Sequence, residues 1–453
     1  MNETSNQIKV GEKYTMELMD ITHSGEGVGR LENMIVFVEG GLPGDVVEVE
    51  IKNVKKTYAQ AKLLSITEAS AERVTPECPY FEQCGGCQIL HMSYAGQLRV
   101  KSKMVKDALQ RIGGLKEIEV APIIGMEDPK RYRNKAQFKL DNKGMGFYAK
   151  KSHNLVHIQD CLNQPESAAD AIKTINALIQ ELNLSIYDER THKGYVRGVL
   201  QRTNLQGENM ITLIINGKDL SQRQAIVEGI LAGIPNVKSI YVNINREKGN
   251  VILGKKSLCV HGAARLVEQI GDLSFSISPN SFFQVNSKQT IKLYDTIKTF
   301  ANLTGSETVF DLYCGTGTIG LYLAAQAKQV IGIESVGDAI LDARENAGLN
   351  QIENASFHLG RAEDEMLKII KEESIKPDLI ILDPPRKGCE ETLLATIIEL
   401  GTPRVIYVSC NPSTLARDLK YMTEAGYAIK AVQPVDLFPG TGHVETVVLM
   451  SRV

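Results

Sequence analysis

Hydrophobic and polar positions alternate over short stretches in the first part of the chain. Glycines separate these stretches, and Gly25–Gly29 marks a turn. The strand candidates are Tyr14–Ile21, Met34–Val38, Asp45–Ile51 and Tyr58–Ile66. Alternation with a period of two puts one face of each strand on a core. Short strands with glycine-rich turns are typical of a small OB-like β-barrel, which we predict over residues 1–68.

The pattern takes a helical period after residue 90. Hydrophobic positions three and four apart predict an amphipathic helix over Tyr94–Ile112, which ends at Gly113-Gly114. Strand and helix patterns are mixed from there to about Gly262. We therefore predict an α+β middle domain within residues 69–270. The helix over Tyr94–Ile112 could pack on the last domain although it precedes the middle one.

Strands and helices alternate regularly from about Asp272 onward. This rhythm predicts a parallel, doubly wound α/β sheet of the Rossmann-like type over residues 271–453. In such sheets, function lies at the carboxyl ends of the strands. The residues that follow or end these strands are Asp311, Glu334, Asp383 and Cys410.

The composition is that of an ordinary globular protein. Of the 453 residues, 43% are hydrophobic and 23% are charged, and the net charge of -3 does not by itself indicate a nucleic-acid binder. A basic stretch from Arg99 to Lys139 could follow a phosphate backbone, although a solvated helix face explains it better when taken alone. The first residues are polar and the apolar runs are too short to cross a bilayer. We therefore expect a cytoplasmic enzyme without membrane association.

A glycine-rich segment follows strand Val309–Leu312. Gly315, Gly317 and Gly320 fit the G-x-G-x-x-G pattern, and Glu334 ends the next strand, where its carboxylate could accept hydrogen bonds from ribose hydroxyls. NAD-dependent enzymes and class I methyltransferases share this spacing. Asp311, which leads into the turn, is similar to the first cofactor motif of methyltransferases and favours S-adenosylmethionine.

Four further segments carry a stronger resemblance. They are Ser281-Phe-Phe-Gln284-Val-Asn286, Asp383-Pro-Pro-Arg386, Ser409-Cys410-Asn-Pro412 and Phe438-Pro-Gly-Thr-Gly-His-Val-Glu445-Thr446. Together they resemble the RNA uracil-5-methyltransferase family, in the family's order. The resemblance implies a class I S-adenosylmethionine methyltransferase fold with Cys410 as nucleophile and Glu445 as base. It also implies that the methyl donor is surrounded by Gln284, Tyr313, Gly315, Glu334 and Asp383.

The chemistry explains why a thiol and a carboxylate are needed. Carbon-5 of uracil is too weak a nucleophile to accept a methyl group directly. A thiolate that adds to carbon-6 turns the ring into an enolate, so that carbon-5 can attack the methyl donor. A base then removes the proton of carbon-5 and the cysteine leaves. Taken alone, a cysteine at a strand end is more often a small core residue, and only the surrounding motifs favour the catalytic interpretation of Cys410.

The other cysteines predict a metal centre. Cys78, Cys84 and Cys87 have the spacing C-x5-C-x2-C, and Cys161 follows later. Four thiolates suit either zinc or an iron–sulfur cluster. The resemblance to uracil-5-methyltransferases that carry a [4Fe-4S] cluster covers all four positions and favours the cluster, for which we expect a role in folding or RNA docking.

The expected partner is RNA, and no obligate protein partner is indicated. The N-terminal barrel resembles a TRAM domain, an RNA-binding module. Family members that act on tRNA typically lack both this barrel and the cysteine set, so the chain resembles the branch that acts on 23S ribosomal RNA, which is the expected substrate. The tRNA T-loop uridine is the alternative. Two other classes remain open at this point: an iron–sulfur oxidoreductase that uses NAD, and a non-catalytic RNA-binding assembly factor.

Overall fold

The computed structural model describes residues 8–249 and 251–453. Five strands form a closed barrel in the order β1-β2-β3-β5-β4, as predicted. Their hydrophobic positions, including Leu18, Val38 and Val49, fill its interior. The strands are β1 (Lys13–Ile21), β2 (Glu26–Leu31), β3 (Met34–Glu39), β4 (Val46–Val54) and β5 (Tyr58–Glu68).

A helix and a second sheet follow the barrel. The sheet has seven strands in the order β12-β11-β10-β9-β6-β7-β8. Two helices, α2 and α3, pack their apolar residues against it, which gives the predicted α+β architecture. The elements are α1 (Tyr94–Arg111), β6 (Lys135–Asp141), β7 (Gly144–Tyr148), β8 (Leu155–His157), α2 (Ser167–Glu181), β9 (Val196–Thr203), β10 (Asn209–Ile215), α3 (Arg223–Gly233), β11 (Val237–Ile244) and β12 (Lys256–Gly262).

The last part of the chain forms a hairpin and a third sheet. The hairpin pairs β13 (Leu266–Ile270) with β14 (Leu273–Ile277). The sheet has the order β17-β16-β15-β18-β19-β21-β20. Its elements are α4 (Ser287–Ala301), β15 (Thr308–Leu312), α5 (Thr318–Ala324), β16 (Gln329–Glu334), α6 (Gly337–Leu349), β17 (Ala355–Leu359), α7 (Ala362–Glu373), β18 (Leu379–Leu382), α8 (Glu391–Leu400), β19 (Arg404–Ser409), α9 (Pro412–Glu424), β20 (Tyr427–Val435) and β21 (Glu445–Arg452).

One strand of this sheet departs from the all-parallel prediction. Strands β15 to β19 are parallel to one another, but β21 runs antiparallel to both of its neighbours, β19 and β20. Strand β20 therefore runs in the same direction as β19. No helix lies between β20 and β21, and without a crossover helix two neighbouring strands pair antiparallel. The connection between them, residues 436–444, is called the 436–444 loop below.

Helix α1 packs on the third sheet and its helices, as the sequence allowed. Its residues Val105 and Leu109 are fully buried in the same core as Leu415 and Leu419 of α9. The helix therefore joins the catalytic part of the molecule although it lies between the barrel and the second sheet in sequence. Within residues 8–249 and 251–453, no helix combines the length and apolar character that crossing a membrane requires.

Candidate active site

A cavity of about 1340 Å³ opens at the carboxyl ends of β15, β16, β18 and β19. This is the edge of a parallel sheet at which ligands bind. All seven residues that the sequence nominated for catalysis or methyl-donor binding line this one cavity. They are Gln284, Tyr313, Gly315, Glu334, Asp383, Cys410 and Glu445.

The glycine-rich turn after β15 is built for a close approach of backbone to ligand. Tyr313, Gly315 and Gly317 all have positive φ angles, of 63°, 55° and 78°. A side chain at Gly317 would begin 2.8 Å from the ring of Phe357, so only glycine fits there. The buried carboxylate of Asp311 accepts a hydrogen bond from the Gly320 amide at 2.9 Å and so fixes the start of α5.

Glu334 ends β16 and its carboxylate is held by backbone amides. One oxygen accepts from Gly315 at 3.3 Å, and the other accepts from Val336 at 2.9 Å. The side chain also lines the cavity. A fixed carboxylate beside a glycine-rich turn is suited to accept hydrogen bonds from two ribose hydroxyls.

Gln284 reaches the cavity from the segment before α4. Phe283 is buried on one side of it, and Asn286 caps α4 by accepting a hydrogen bond from Gln289 at 3.1 Å. The Asn286 side-chain amide also donates to the Leu437 carbonyl at 3.0 Å. The segment is therefore anchored on both sides of Gln284, and it is tied to the 436–444 loop.

Cys410 and Glu445 come from neighbouring antiparallel strands. The register of β19 and β21 pairs Ser409 with Thr446, so the next position brings Cys410 opposite Glu445. Cys410 is partly exposed to the cavity, and Glu445 is 5% exposed. Cys410 also lies just before Asn411, the N-cap of α9, where the helix dipole favours a negative charge.

Burial raises the pKa values of the acidic groups in this cavity. The pKa of Cys410 rises to about 11, first by burial and then through the charges of Glu445 and Asp383. The pKa of Glu445 rises to about 8, by burial and by Asp383. Asp383 faces the cavity, yet protein encloses its carboxyl closely enough to raise the pKa to about 7. Crowded acids of this kind share protons and mark sites of proton transfer.

Arg386 is the cation that opposes this effect. Its charge lowers the pKa values of both Cys410 and Glu445. Its guanidinium lies 3.4 Å from Nε2 of His443, which also lines the cavity. Burial and the charge of Arg386 lower the pKa of His443 to about 4, so this imidazole is neutral near pH 7. His443 lies within the Phe438–Thr446 motif, but the sequence alone predicts no role for it.

The four cysteines nominated for a metal centre lie near one another. The segment 78–87, called the cysteine segment below, reaches the β7–β8 hairpin, where Cys84 forms an isolated bridge with Ala149. Burial, and then the charges of Cys161, Cys84 and Cys78, raise the pKa of Cys87 to about 12. The Asn163 amide donates to the Cys87 sulfur at 3.1 Å.

The four cysteine side chains are half-buried, and the Cys87 sulfur accepts a hydrogen bond from Asn163. In the described part of the chain, no group of three or more His, Cys, Asp or Glu side chains is placed to hold one ion. A [4Fe-4S] cluster binds each of its four thiolates through a separate iron, so four neighbouring cysteines are the donor set that it requires.

Lys101 was not predicted from the sequence to support the site. It is fully buried beneath the 436–444 loop. It donates to Asp436 at 2.6 Å and to the Phe438 carbonyl at 2.9 Å. The spacing of buried positions along α1 could have indicated this role of Lys101. Gln97, Lys101, Val105 and Leu109 recur every four residues on the buried face of α1, and a lysine within such a stripe indicates a buried anionic partner.

Two family models match the chain. The tRNA (uracil-5-)-methyltransferase model matches residues 93–453, and the TRAM domain model matches residues 7–64. An uncharacterized RNA methyltransferase of Halalkalibacterium halodurans is 44% identical over 99% of both chains. Another from Bacillus cereus is 46% identical over 96% of this chain and 95% of its own.

A solved structure is similar over nearly the whole chain. It is the Pyrococcus abyssi tRNA (uracil-54, C5)-methyltransferase in complex with S-adenosyl-L-homocysteine, with a TM-score of 0.78 and 27% sequence identity. The match covers 96% of this chain and 100% of the archaeal one. It therefore includes most of the barrel and cysteine segment as well as the third sheet.

Proposed function

This chain belongs to the tRNA (uracil-5-)-methyltransferase family, and from that premise we propose that it methylates carbon-5 of a uridine through a covalent adduct between the uracil and Cys410. Membership makes it an S-adenosylmethionine-dependent RNA methyltransferase. The proposal of a covalent adduct rests on the register of β19 and β21. This register brings the thiol of Cys410 opposite the buried carboxyl of Glu445, in the cavity that the cofactor motif also lines.

The Cys410 thiolate attacks carbon-6 of the uracil, and an S–C6 bond forms while the ring becomes an enolate. S-adenosylmethionine supplies the methyl group that carbon-5 accepts. The Glu445 carboxylate then removes the proton of carbon-5, the C5–C6 double bond forms again, and the S–C6 bond breaks to release the thiolate. A carboxyl with a pKa of about 8 suits this step, because a base works best when its pKa is near the working pH.

The cofactor side of the cavity supports the assignment of the methyl-donor residues. Glu334 would accept hydrogen bonds from the ribose, and Gly315 would let the backbone approach the ligand. Gln284, Tyr313 and Asp383 line the same cavity between this turn and Cys410. Asp383 would contact either the methyl donor or the edge of the uracil ring.

We further propose that Cys78, Cys84, Cys87 and Cys161 hold a [4Fe-4S] cluster. Its support is the nearness of the four thiols and the N–H···S bond of Asn163: burial, and then the charges of Cys78 and Cys84, raise the pKa values of both Cys87 and Cys161. The cluster would tie the cysteine segment to the strand β8 region, and we expect a role in structure or RNA docking rather than in methyl transfer.

The proposed substrate is 23S ribosomal RNA, because the barrel and cysteine set occur together in the family branch that this chain resembles. The tRNA T-loop uridine is the second candidate, and one observation favours it. The archaeal enzyme that matches 96% of this chain is named for uracil-54 of tRNA. A barrel is therefore compatible with either RNA, since it adds backbone contacts beyond the target base.

Nucleoside mass spectrometry separates these candidates. The purified protein is incubated with S-adenosylmethionine and with unmodified 23S ribosomal RNA or unmodified tRNA in separate reactions. 5-Methyluridine in ribosomal RNA alone would support the proposal in full. 5-Methyluridine in tRNA alone would retain the chemistry and replace the substrate. Cofactor binding without methylation of either RNA would contradict the proposed reaction.

A further inference from the structure

The 436–444 loop carries Glu445 at its end, and most of its anchors come from distant parts of the chain. Gly440 is their centre. Its carbonyl accepts hydrogen bonds from the backbone amides of Gln88 and Ile89, both at 3.0 Å. Its own amide donates to the Gln97 side chain at 2.8 Å. The Tyr132 hydroxyl donates to the Pro439 carbonyl at 3.0 Å.

Glycines allow this close packing. Gly440 has a φ of 77°, and a side chain there would begin 2.6 Å from Leu90. A side chain at Gly442 would begin 1.9 Å from the His23 carbonyl of the barrel. Real Cβ atoms do not approach so closely, so a side chain at Gly442 would displace the loop from the barrel.

A fully buried ion pair fixes the start of the loop. Lys101 of α1 and Asp436 are both 0% exposed, and their charged atoms are 2.6 Å apart. The Lys101 ammonium also donates to the Phe438 carbonyl at 2.9 Å, and the Tyr94 hydroxyl donates to the other oxygen of Asp436 at 2.9 Å. Each partner is thus satisfied within the protein, as a buried charge requires.

We propose that Lys101, with Gln97, is a positioning residue for proton abstraction: α1 holds the 436–444 loop so that the Glu445 carboxylate meets the carbon-5 proton of the Cys410 adduct. This inference rests on the proposed function, in which Glu445 is the base. Lys101 does not line the cavity, so it acts only through the loop. Displacement of a catalytic group by about 1 Å can cost about 10²-fold in rate.

The proposal predicts a defect in one step only. Attack by Cys410 and methyl transfer do not need Glu445, whereas release of the product does. In Lys101→Met, turnover on uridine-containing RNA should fall about 10²-fold, and methylated RNA should accumulate on the protein as a covalent adduct. Gln97→Ala, which removes one uncharged contact, should show the same pattern at about tenfold. The kcat/KM values for RNA and S-adenosylmethionine should change little, because the steps up to methyl transfer do not involve Glu445.

RNA with 5-fluorouridine at the target position isolates the earlier steps. After methyl transfer its carbon-5 carries fluorine and methyl but no proton, so the adduct forms and cannot be resolved by any base. The RNA is the one that the wild-type protein methylates, and the adduct is measured by gel shift under denaturing conditions. Both variants should form this adduct at the wild-type rate.

Arg404→Met is the matched control. Arg404 is a partly buried cation paired with Glu307, and it begins β19, the strand whose other end leads to Cys410. Its loss should affect stability without separating release from adduct formation.

The possible outcomes distinguish a failure of the positioning role of Lys101 from a failure of the covalent mechanism on which it rests. If the variants lose adduct formation and turnover in parallel, or keep normal turnover, the positioning role of Lys101 is wrong. If the wild-type protein forms no adduct with 5-fluorouridine RNA, the proposed covalent mechanism itself fails. A circular dichroism spectrum and melting temperature for each variant identify chains that have not folded, and Gln97→Ala then provides the test if Lys101→Met is among them.

Discussion

Cys410 and Glu445 lie opposite each other where β19 and β21 meet the cavity, although 34 residues separate them in sequence. Cys410 directly follows the last residue of β19, and Glu445 is the first residue of β21. The pairing of β19 and β21 therefore brings the proposed nucleophile and the proposed base side by side. The 436–444 loop leads directly into the strand that carries Glu445.

Cys410→Ala should abolish methylation, by at least about 10³-fold, because Cys314, the other thiol that lines the cavity, is buried and burial raises its pKa well above the ordinary value. Binding of S-adenosylmethionine, measured by calorimetry, should stay within about twofold because the cofactor turn is unchanged. Cys259→Ala is the matched control, since Cys259 is exposed and outside the cavity. Normal methylation by Cys410→Ala would exclude it as the nucleophile.

The rate should rise with pH. Both Cys410 and Glu445 act as anions, and burial raises their pKa values to about 11 and about 8. In the proposed mechanism, kcat should therefore increase between about pH 7 and 9 as Glu445 loses its proton, and kcat/KM for RNA should increase toward higher pH as more Cys410 thiolate forms.

Arg386 should determine the pH at which the rate rises, because its charge lowers the pKa values of Cys410 and Glu445. Arg386→Met should move the rise in kcat/KM to higher pH by about 0.5, and Arg386→Lys should restore it by restoring the cation. The pH of the half-maximal rate is the measurement, since Arg386 can also affect RNA binding. An unmoved profile would show that the cation does not act on these groups.

Glu445→Gln should be inactive yet more stable at alkaline pH. The folded protein holds the Glu445 proton up to a pKa of about 8, whereas the unfolded chain releases it near the ordinary glutamate pKa of 4.5. Stability from this group is therefore complete below about pH 4.5 and falls as the pH rises through 8. The neutral glutamine avoids that loss, so the free energy of unfolding at pH 9 should increase by up to about 4 kcal/mol.

Thermal unfolding at pH 5 and pH 9 measures this effect. Glu445→Gln and the wild-type protein should melt at similar temperatures at pH 5 and diverge at pH 9. The exposed Glu391→Gln is the control and should show no such divergence. Equal melting temperatures at both values of pH would mean that Glu445 is already ionised in the folded protein.

The cysteine segment should bind iron. Anaerobically purified protein should contain about four irons per chain with little zinc. Cys87→Ala should lose most of the iron and lower the melting temperature, because a bound cluster stabilises the folded state. Cys259→Ala should retain the metal. Zinc without iron, or full iron content in Cys87→Ala, would contradict the proposed cluster.

Local patterns were sufficient to predict the barrel, the α+β architecture and the alternating strands β15 to β19. The G-x-G-x-x-G turn and the strand ends also brought Gly315, Glu334, Asp383 and Cys410 to one edge. The antiparallel insertion of β21 could not be predicted, because strand order depends on pairing between distant segments. The Lys101–Asp436 pair spans 335 residues and was missed for the same reason. The domain limits and the roles of the site residues remain predictions.

Strand β21 follows β20 in sequence but lies between β19 and β20 in the sheet. During synthesis β20 therefore leaves the ribosome before β21, its one neighbouring strand in the described sheet, exists. Chains emerge N-terminal end first, so Cys410 is made before the carboxyl that lies opposite it. A product whose translation stops before β21 would carry the proposed nucleophile without the proposed base, and it could not complete the sheet.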